Sequence, residues 1–304
     1  MDFDEHALSA YFYRCRLRRL KQQTISGYTE RLEYLGVWAA ARGKGITELT
    51  SQDFEAYFLG LMDREKPLSG VTINGRLRMY RQFFGFLVDE SLLPTDPTRT
   101  VRYVRPEKRQ HVLLSAYDFS RVIRAVRKRH SFFAVRNECM LLVAFDTMLR
   151  LRELTTIKIG AVKLYPDRLI HVMGKGRKER IVSFSEETAQ RLLIYLARRS
   201  HEKIPGDLLF STSDGKEISK RNAEHIFDRC GQRASPPVKM TPHLIRRSAA
   251  TLYRHLTGDI QLVGDILGHE SLATTELYTR TGQLGIQAAY EKQSPVAYAS
   301  GLKV

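Results

Sequence analysis

From Asn137 to Met148 the chain reads Asn-Glu-Cys-Met-Leu-Leu-Val-Ala-Phe-Asp-Thr-Met, nearly all apolar. A helix of that composition has no face to offer water, so other elements must enclose it. The run is too short for a membrane span, which needs about 20 apolar residues. The segment is therefore expected to be a buried helix.

The hydrophobic period changes on either side of that segment. The first hundred residues read as helices. Thr24 to Arg42 carries Tyr28, Leu32, Leu35 and Ala39 on one face. Thr50-Ser51-Gln52-Asp53 has the form of a capping box before Phe54, Tyr57, Phe58 and Leu61. Val71 to Glu90 carries Ile73, Leu77, Tyr80, Phe84 and Leu87. These aromatic stripes follow the period of burial, which marks them as core rather than as platforms for stacking bases. Pro94-Thr95-Asp96-Pro97 closes the block.

Val101 to Gln110 then reads as extended and basic, with Arg102, Arg105, Lys108 and Arg109. A linker crossing a nucleic-acid backbone needs that composition, and a solvated charge run shares it. Ser115-Ala116-Tyr117-Asp118 reads as a helix start, with the helix running through Val126. After the apolar segment the period turns strand-like. Ala161 to Leu164, Leu169 to Met173 and Arg180 to Phe184 are separated by Pro166-Asp167 and Gly174-Lys175-Gly176 turns, as in a small antiparallel sheet. Helices return at Glu186 to Arg199, Lys220 to Arg233, Pro242 to Leu256 and Ile260 to Leu267. The expected fold is mainly α with one small antiparallel β-sheet. The expected domains are a helical one over 1–100, a basic linker over 101–112 and a second domain over 113–304.

Charge narrows the partner. Lys and Arg total 49 against 33 Asp and Glu, a net charge of +16, which favours a polyanion such as nucleic acid. The three cysteines, Cys15, Cys139 and Cys230, are far apart with no CxxC, so neither a disulfide framework nor a zinc site is expected and a reducing cytoplasm fits. Met1-Asp2-Phe3-Asp4-Glu5 is acidic with no apolar stretch behind it, unlike a signal peptide. The expectation is a cytoplasmic protein that uses no membrane.

Four segments carry chemistry. In Thr147 to Leu154, Arg150 borders the apolar helix and Glu153 stands three residues on, close enough to orient it. Taken alone this is a structural ion pair. Gly174-Lys175-Gly176-Arg177-Lys178-Glu179-Arg180 sits at a β-turn rather than before a helix, so it is not a Walker loop. A lysine on such a hairpin can reach a reacting phosphate and donate a proton, although an exposed basic hairpin looks the same. In Thr241-Pro242-His243-Leu244-Ile245-Arg246-Arg247, Thr241 and Pro242 open a helix and put His243 and Arg246 on one face near its positive end. In Leu267 to Thr279, Gly268 ends a helix, His269 follows, and Tyr278 lies further on.

Together the segments resemble the tyrosine recombinase (phage integrase) family. Its signature runs roughly TGLRxSEL, GKGxKxR, HxLR and LGHxxxxTTxxYxH. This chain has TMLRLREL, GKGRKER, HLIR and LGHESLATTELYTR, in that order along the second domain. The last motif is the most specific. Met148 stands where the family usually has Gly, Arg152 where it often has Ser, and Arg280 where His is frequent. The resemblance implies a helical core-binding (SAM-like) domain before a recombinase catalytic domain.

The resemblance also implies roles. Tyr278 would attack the scissile phosphate, forming a 3′-phosphotyrosyl link that stores the bond energy, so rejoining needs no ATP. Arg150 and Arg246 would grip the non-bridging oxygens. His269 would add a donor, Lys175 would protonate the leaving 5′-oxygen, and His243 would handle the phenol proton. Glu153 would support these side chains. Arg102, Arg105, Lys108, Arg109, Lys178, Arg180 and Arg247 are the candidate DNA contacts. No cofactor or metal is implied. The implied partners are double-stranded DNA and further protomers, as a homo-tetramer or paired dimers, with or without a second recombinase. The residues after Tyr278 would form a tail that exchanges into a neighbouring protomer, a reading preferred to a tail packed on its own domain because recombination needs four protomers. Three other readings compete: a type IB topoisomerase with the same chemistry, a DNA-binding protein with a dead site, and a metal-dependent relaxase. The filled catalytic positions argue against the second. The third lacks its His-hydrophobic-His pair, since His243-Leu244-Ile245 does not supply one.

Overall fold

The computed structural model describes residues 3–107, 112–173, 179–268 and 294–301. The chain divides into two compact units, Met1–Gln110 and His111–Val304. Helices dominate both, and the second holds a small antiparallel sheet, so the fold class is the one the sequence implies.

The first unit contains α1 (Phe3–Leu17), α2 (Gln22–Ala40), α3 (Ser51–Asp63) and α4 (Gly70–Asp89). The aromatic stripes are its core: Phe54, Tyr80, Phe84 and Leu87 are fully buried. Buried phenols need partners. Tyr57 and Tyr80 share a hydrogen bond at 3.0 Å, and the Tyr80 hydroxyl donates to Arg31 O at 3.1 Å. Thr50 caps α3 as its sequence suggests, with Asp53 accepting from Thr50 N at 2.8 Å. Lys44 closes on Asp53 at 2.7 Å, and that bond, with those from Thr50, draws the Asp53 carboxyl down to about 2. Helix α1 is not marked out by the sequence reading. It buries Ala7, Tyr11 and Cys15 at four-residue steps while exposing Tyr13 and Leu17, which blurs its stripe.

The basic segment beyond α4 has no regular structure over 101–107, but it is stitched to its own unit. Asn74 donates to Val104 O at 2.7 Å and accepts from Val104 N at 2.8 Å. Arg81 donates to Val101 O at 2.6 Å. Val101 is buried, whereas Arg102 and Arg105 are exposed. Lys108 and Arg109 lie outside the described residues.

The second unit is built on α6 (Phe132–Thr147), which is buried on nearly every side, as its apolar sequence demands. Around it pack α5 (Ala116–Arg127), α8 (Glu186–His201), α9 (Lys220–Gln232) and α10 (Pro242–Thr257). Two acids in α6 are enclosed and therefore need partners. Glu138 accepts from Arg127 at 2.6 Å and Arg191 at 2.5 Å. Asp146 Oδ2 accepts from Ser185 N, Ser185 Oγ and Thr188 Oγ1 at 2.7–2.9 Å, which ties α6 to the start of α8.

A short α7 (Leu151–Thr155) precedes a meander of β1 (Val162–Lys163), β2 (Leu169–Met173) and β3 (Glu179–Ser183). Ile170 pairs with Val182 and Val172 with Arg180. The first strand is shorter than the Ala161 to Leu164 expected, and the third starts one residue before Arg180. Helix α11 (Ile260–Leu267) follows α10, with Asp259 accepting from Gln261 N and Leu262 N at 2.9 Å.

A last helix, Pro295–Gly301, packs against α5, α6, α8 and α10 of the same chain. Val296 and Ala299 are buried there. Ser294 Oγ donates to Asp146 Oδ1 at 2.6 Å and Val296 N to the same oxygen at 3.2 Å. Ser300 Oγ donates to Glu187. Residues 294–301 are thus seated on their own domain.

Candidate active site

The site begins where α6 stops. Met148 takes a left-handed conformation, φ 50° and ψ 30°, which ends the helix and turns the chain toward Arg150. Leu149 is buried beneath the turn, and Arg150 is the residue from which α7 starts. Glu153 caps that start, accepting from Arg150 N at 2.8 Å. The same carboxylate receives Arg150 NH1 at 3.1 Å and a two-pronged contact from Arg180, at 3.0 and 2.8 Å. Arg246 NH1 stands 4.0 Å from it. One acid therefore serves three guanidiniums. Burial raises the Glu153 carboxyl, but the bonds from Arg180 and Arg150 outweigh it and hold the group below its ordinary value.

A second structure organises the same three arginines. Helix α11 ends at Gly268, whose φ of 62° is a conformation glycine adopts without strain. Successive carbonyls at that end each accept from a different arginine. Ile266 O takes Arg180 Nε at 3.2 Å, Leu267 O takes Arg246 NH2 at 2.8 Å, and Gly268 O takes Arg150 NH2 at 3.2 Å. The negative end of a helix suits cations.

Arg246 comes from α10, where Thr241 accepts from Leu244 N at 3.1 Å and Pro242 fills the first turn, as the sequence suggests. Its NH1 also reaches Met148 O at 2.5 Å. Burial, then the nearby Arg150 charge, draws the Arg246 guanidinium down to about 10, so it remains charged at neutral pH. His243 is exposed one turn earlier on the same helix.

Exposure separates the arginines by task. The Arg150 side chain is 44% exposed and open to a ligand, Arg246 is 13% exposed, and Arg180 only 6%. Arg180, grouped above with the candidate DNA contacts, lies inside the unit, with its fork filled by Glu153. Strand alternation could have shown this, because Arg180 shares a face with buried Val182. Arg247 donates to Val112 O at 2.8 Å and so anchors the chain as it enters the second unit. Lys175, Lys178, His269 and Tyr278 lie outside the described residues. The strands that lead to the Lys175 hairpin end at the pair Met173 and Glu179. Both residues, with Glu153, Lys158 and His171, line a cleft of about 380 Å³.

Met148 carries a prediction. A non-glycine residue in the left-handed region costs roughly 1–2 kcal/mol, which glycine would relieve. Met148 is also fully buried, and deleting such a side chain costs roughly 2–5 kcal/mol. Packing outweighs strain, so Met148→Gly is expected to destabilise the second unit by about 1–3 kcal/mol. A denaturant midpoint at or above that of the parent would show that strain dominates instead.

With this geometry in view, comparison with known proteins places the chain. Residues 113–283 match the model of the phage integrase family, and residues 13–91 match that of the phage integrase N-terminal SAM-like domain. The chain belongs to the phage integrase family, the tyrosine recombinases. It is 27% identical to tyrosine recombinase XerC of Bacillus subtilis (strain 168), over 92% of this chain and 93% of that one. It is 30% identical to a XerC of Lactobacillus delbrueckii subsp. bulgaricus, over 83% of this chain and 85% of that one. The crystal structure of XerA recombinase matches at a TM-score of 0.50 and 28% identity, covering 94% of this chain and 97% of that one. The Tn1549 transposon integrase, solved in complex with circular intermediate DNA, shares the fold at a TM-score of 0.70 and 17% identity, over 90% and 98% of the two chains.

Proposed function

We propose that this protein is a site-specific recombinase that cuts and rejoins double-stranded DNA through a 3′-phosphotyrosyl intermediate and a Holliday junction. The observation that carries the reading is the convergence of Arg150 and Arg246 on Glu153 and on the carbonyls that immediately precede His269. Two planar, permanently charged forks on one side of a site suit the non-bridging oxygens of a phosphodiester. Their charge is most valuable where negative charge builds on the pentacovalent phosphorus.

In this reading the Tyr278 oxygen attacks phosphorus and the 5′-oxygen leaves. Lys175 supplies the proton to that oxygen, and His243 takes the phenol proton. His269 donates a further hydrogen bond to the phosphoryl group. The arginines supply the positive charge that a metal ion supplies in other phosphoryl-transfer sites. The 5′-hydroxyl of a second duplex then attacks the phosphotyrosine, which restores the backbone and frees Tyr278. Exchange of strands between duplexes requires several protomers, as a homo-tetramer or paired dimers, with or without a second recombinase. Arg102, Arg105, Lys108, Arg109 and Lys178 are the proposed backbone contacts, and the place of action is the cytoplasm, at the nucleoid.

Two measurements test this. Each phosphate contact releases counterions with a log–log slope of about −0.9, so DNA affinity is expected to fall steeply with salt, and a flat titration would contradict the reading. Sequencing the DNA trapped covalently on the protein is expected to return one recurrent site. Adducts scattered without sequence dependence, together with relaxation of supercoils, would assign a type IB topoisomerase instead.

A further inference from the structure

The mechanism above makes no use of Arg180, yet few side chains in the second unit are as fully engaged. Its side chain is 6% exposed, with NH1 and NH2 on the two Glu153 oxygens and Nε on Ile266 O. A guanidinium taken this far out of water is tolerated only when its hydrogen bonds are made. Its guanidinium lies along Gly268: a Cβ there would sit in ordinary contact, 3.4 Å from Arg180 Cδ, Nε and Cζ. Arg180 thereby joins three segments of the site, namely β3, the start of α7 and the end of α11.

Its charge matters as much as its reach. Glu153 lies 3.1 Å from Arg150 and 4.0 Å from Arg246. With Arg180 absent, the carboxylate's charge would be shared by the two arginines that are to hold the phosphate. Their contact with the phosphate would remain, but the pair's net charge would be halved where it counts most, against the negative charge that builds at phosphorus in the transition state. A two-pronged guanidinium–carboxylate contact is the strongest available way to occupy both oxygens. We propose that Arg180 is a positioning residue for the phosphate-binding pair. By occupying Glu153 it leaves the charges of Arg150 and Arg246 for the scissile phosphate, and by holding Ile266 O it fixes the turn that precedes His269. Arg180 itself does not touch DNA. This inference rests on the recombinase reading above.

The test uses the full chain with nicked duplex DNA carrying the recombination site. Adduct formation is timed in a single turnover at saturating protein, and DNA affinity is measured across a salt series. Arg180→Met is expected to slow adduct formation by about 10- to 100-fold, less than the loss of a donor that touches the transition state itself. Its DNA affinity and salt slope should stay at parental values, whereas loss of a phosphate contact would reduce the slope by about 0.9. Adding Glu153→Gln to Arg180→Met is expected to restore part of the rate, because an amide has no charge to offset that of the two arginines. A side chain that serves only packing would show no such recovery. Arg180→Lys, which keeps the neutralising charge without the fork, should fall between the parent and the Met chain. A parental rate in Arg180→Met, a reduced salt slope, or no recovery in the double variant would overturn the proposal. Should the Met chain not unfold cooperatively, Arg180→Lys decides: slower adduct formation at an unchanged slope supports the inference, and a parental rate overturns it. The parent chain is the control for the recombinase reading. If it forms no adduct at Tyr278, that reading fails and the inference falls with it.

Discussion

Tyr278→Phe is expected to abolish the covalent protein–DNA adduct and all strand exchange, while folding and DNA affinity stay at parental values. The substitution removes one oxygen and almost no volume, so nothing but the nucleophile is lost. Without it no phosphotyrosine can form, and the rate falls by the whole of the covalent pathway rather than by a fraction. Other tyrosines lie near in sequence, and Tyr298 is 45% exposed on the last helix, so a substitute nucleophile has to be tested for. Trapping the adduct on nicked DNA and sequencing the labelled peptide separates Tyr278 from Tyr290 and Tyr298. The linkage should be to a 3′-phosphate. A parental yield of adduct from the Phe chain, or a 5′-phosphate linkage, would sink the assignment and the mechanism with it.

Lys175→Ala is expected to slow cleavage by roughly 100-fold or more, the usual scale for a general acid. In sequence the residue falls between β2 and β3, whose last described pair is Met173 and Glu179. The decisive comparison changes the leaving group. A 5′-bridging sulfur departs without protonation, so DNA carrying it should be cleaved by the Ala chain at close to the parental rate. Equal defects on oxygen and sulfur substrates would remove Lys175 from the role and leave it as one more phosphate contact.

Much of this molecule could be read from residues alone, and the reasons are local. The apolar run before Met148 admits only burial. Thr50, Ser115 and Thr241 announce helix starts because a side-chain oxygen three residues before a free N–H is a short-range device. The paired strands follow from alternation around two turns. The convergence of three arginines on Glu153 was less legible, since it joins β3, α7, α10 and the end of α11 across long stretches of chain. Arg180 shows the limit most clearly. A basic hairpin suggests a surface, yet the pleat turns that one arginine inward, and only its shared face with Val182 hinted at it. Asp146 was invisible for the same reason, because its partners on α8 and the last helix are remote in sequence.

The seat of the last helix has a consequence for assembly. Asp146 divides its two oxygens, one for the start of α8 and the other for Ser294 and Val296. The second oxygen is therefore a receptor, and the chain's own end is already its ligand. A segment attached to its receptor competes at an effective concentration on the order of millimolar. Any equivalent segment offered by a second molecule free in solution, at far lower concentration, loses that contest. It can win only when both molecules are held side by side, where its own effective concentration rises to match. Were tails to be exchanged between protomers as the recombinase reading proposes, such a socket would discriminate between neighbours brought together on a scaffold and strangers that meet by diffusion, by mass action alone, with no difference in affinity between the two tails.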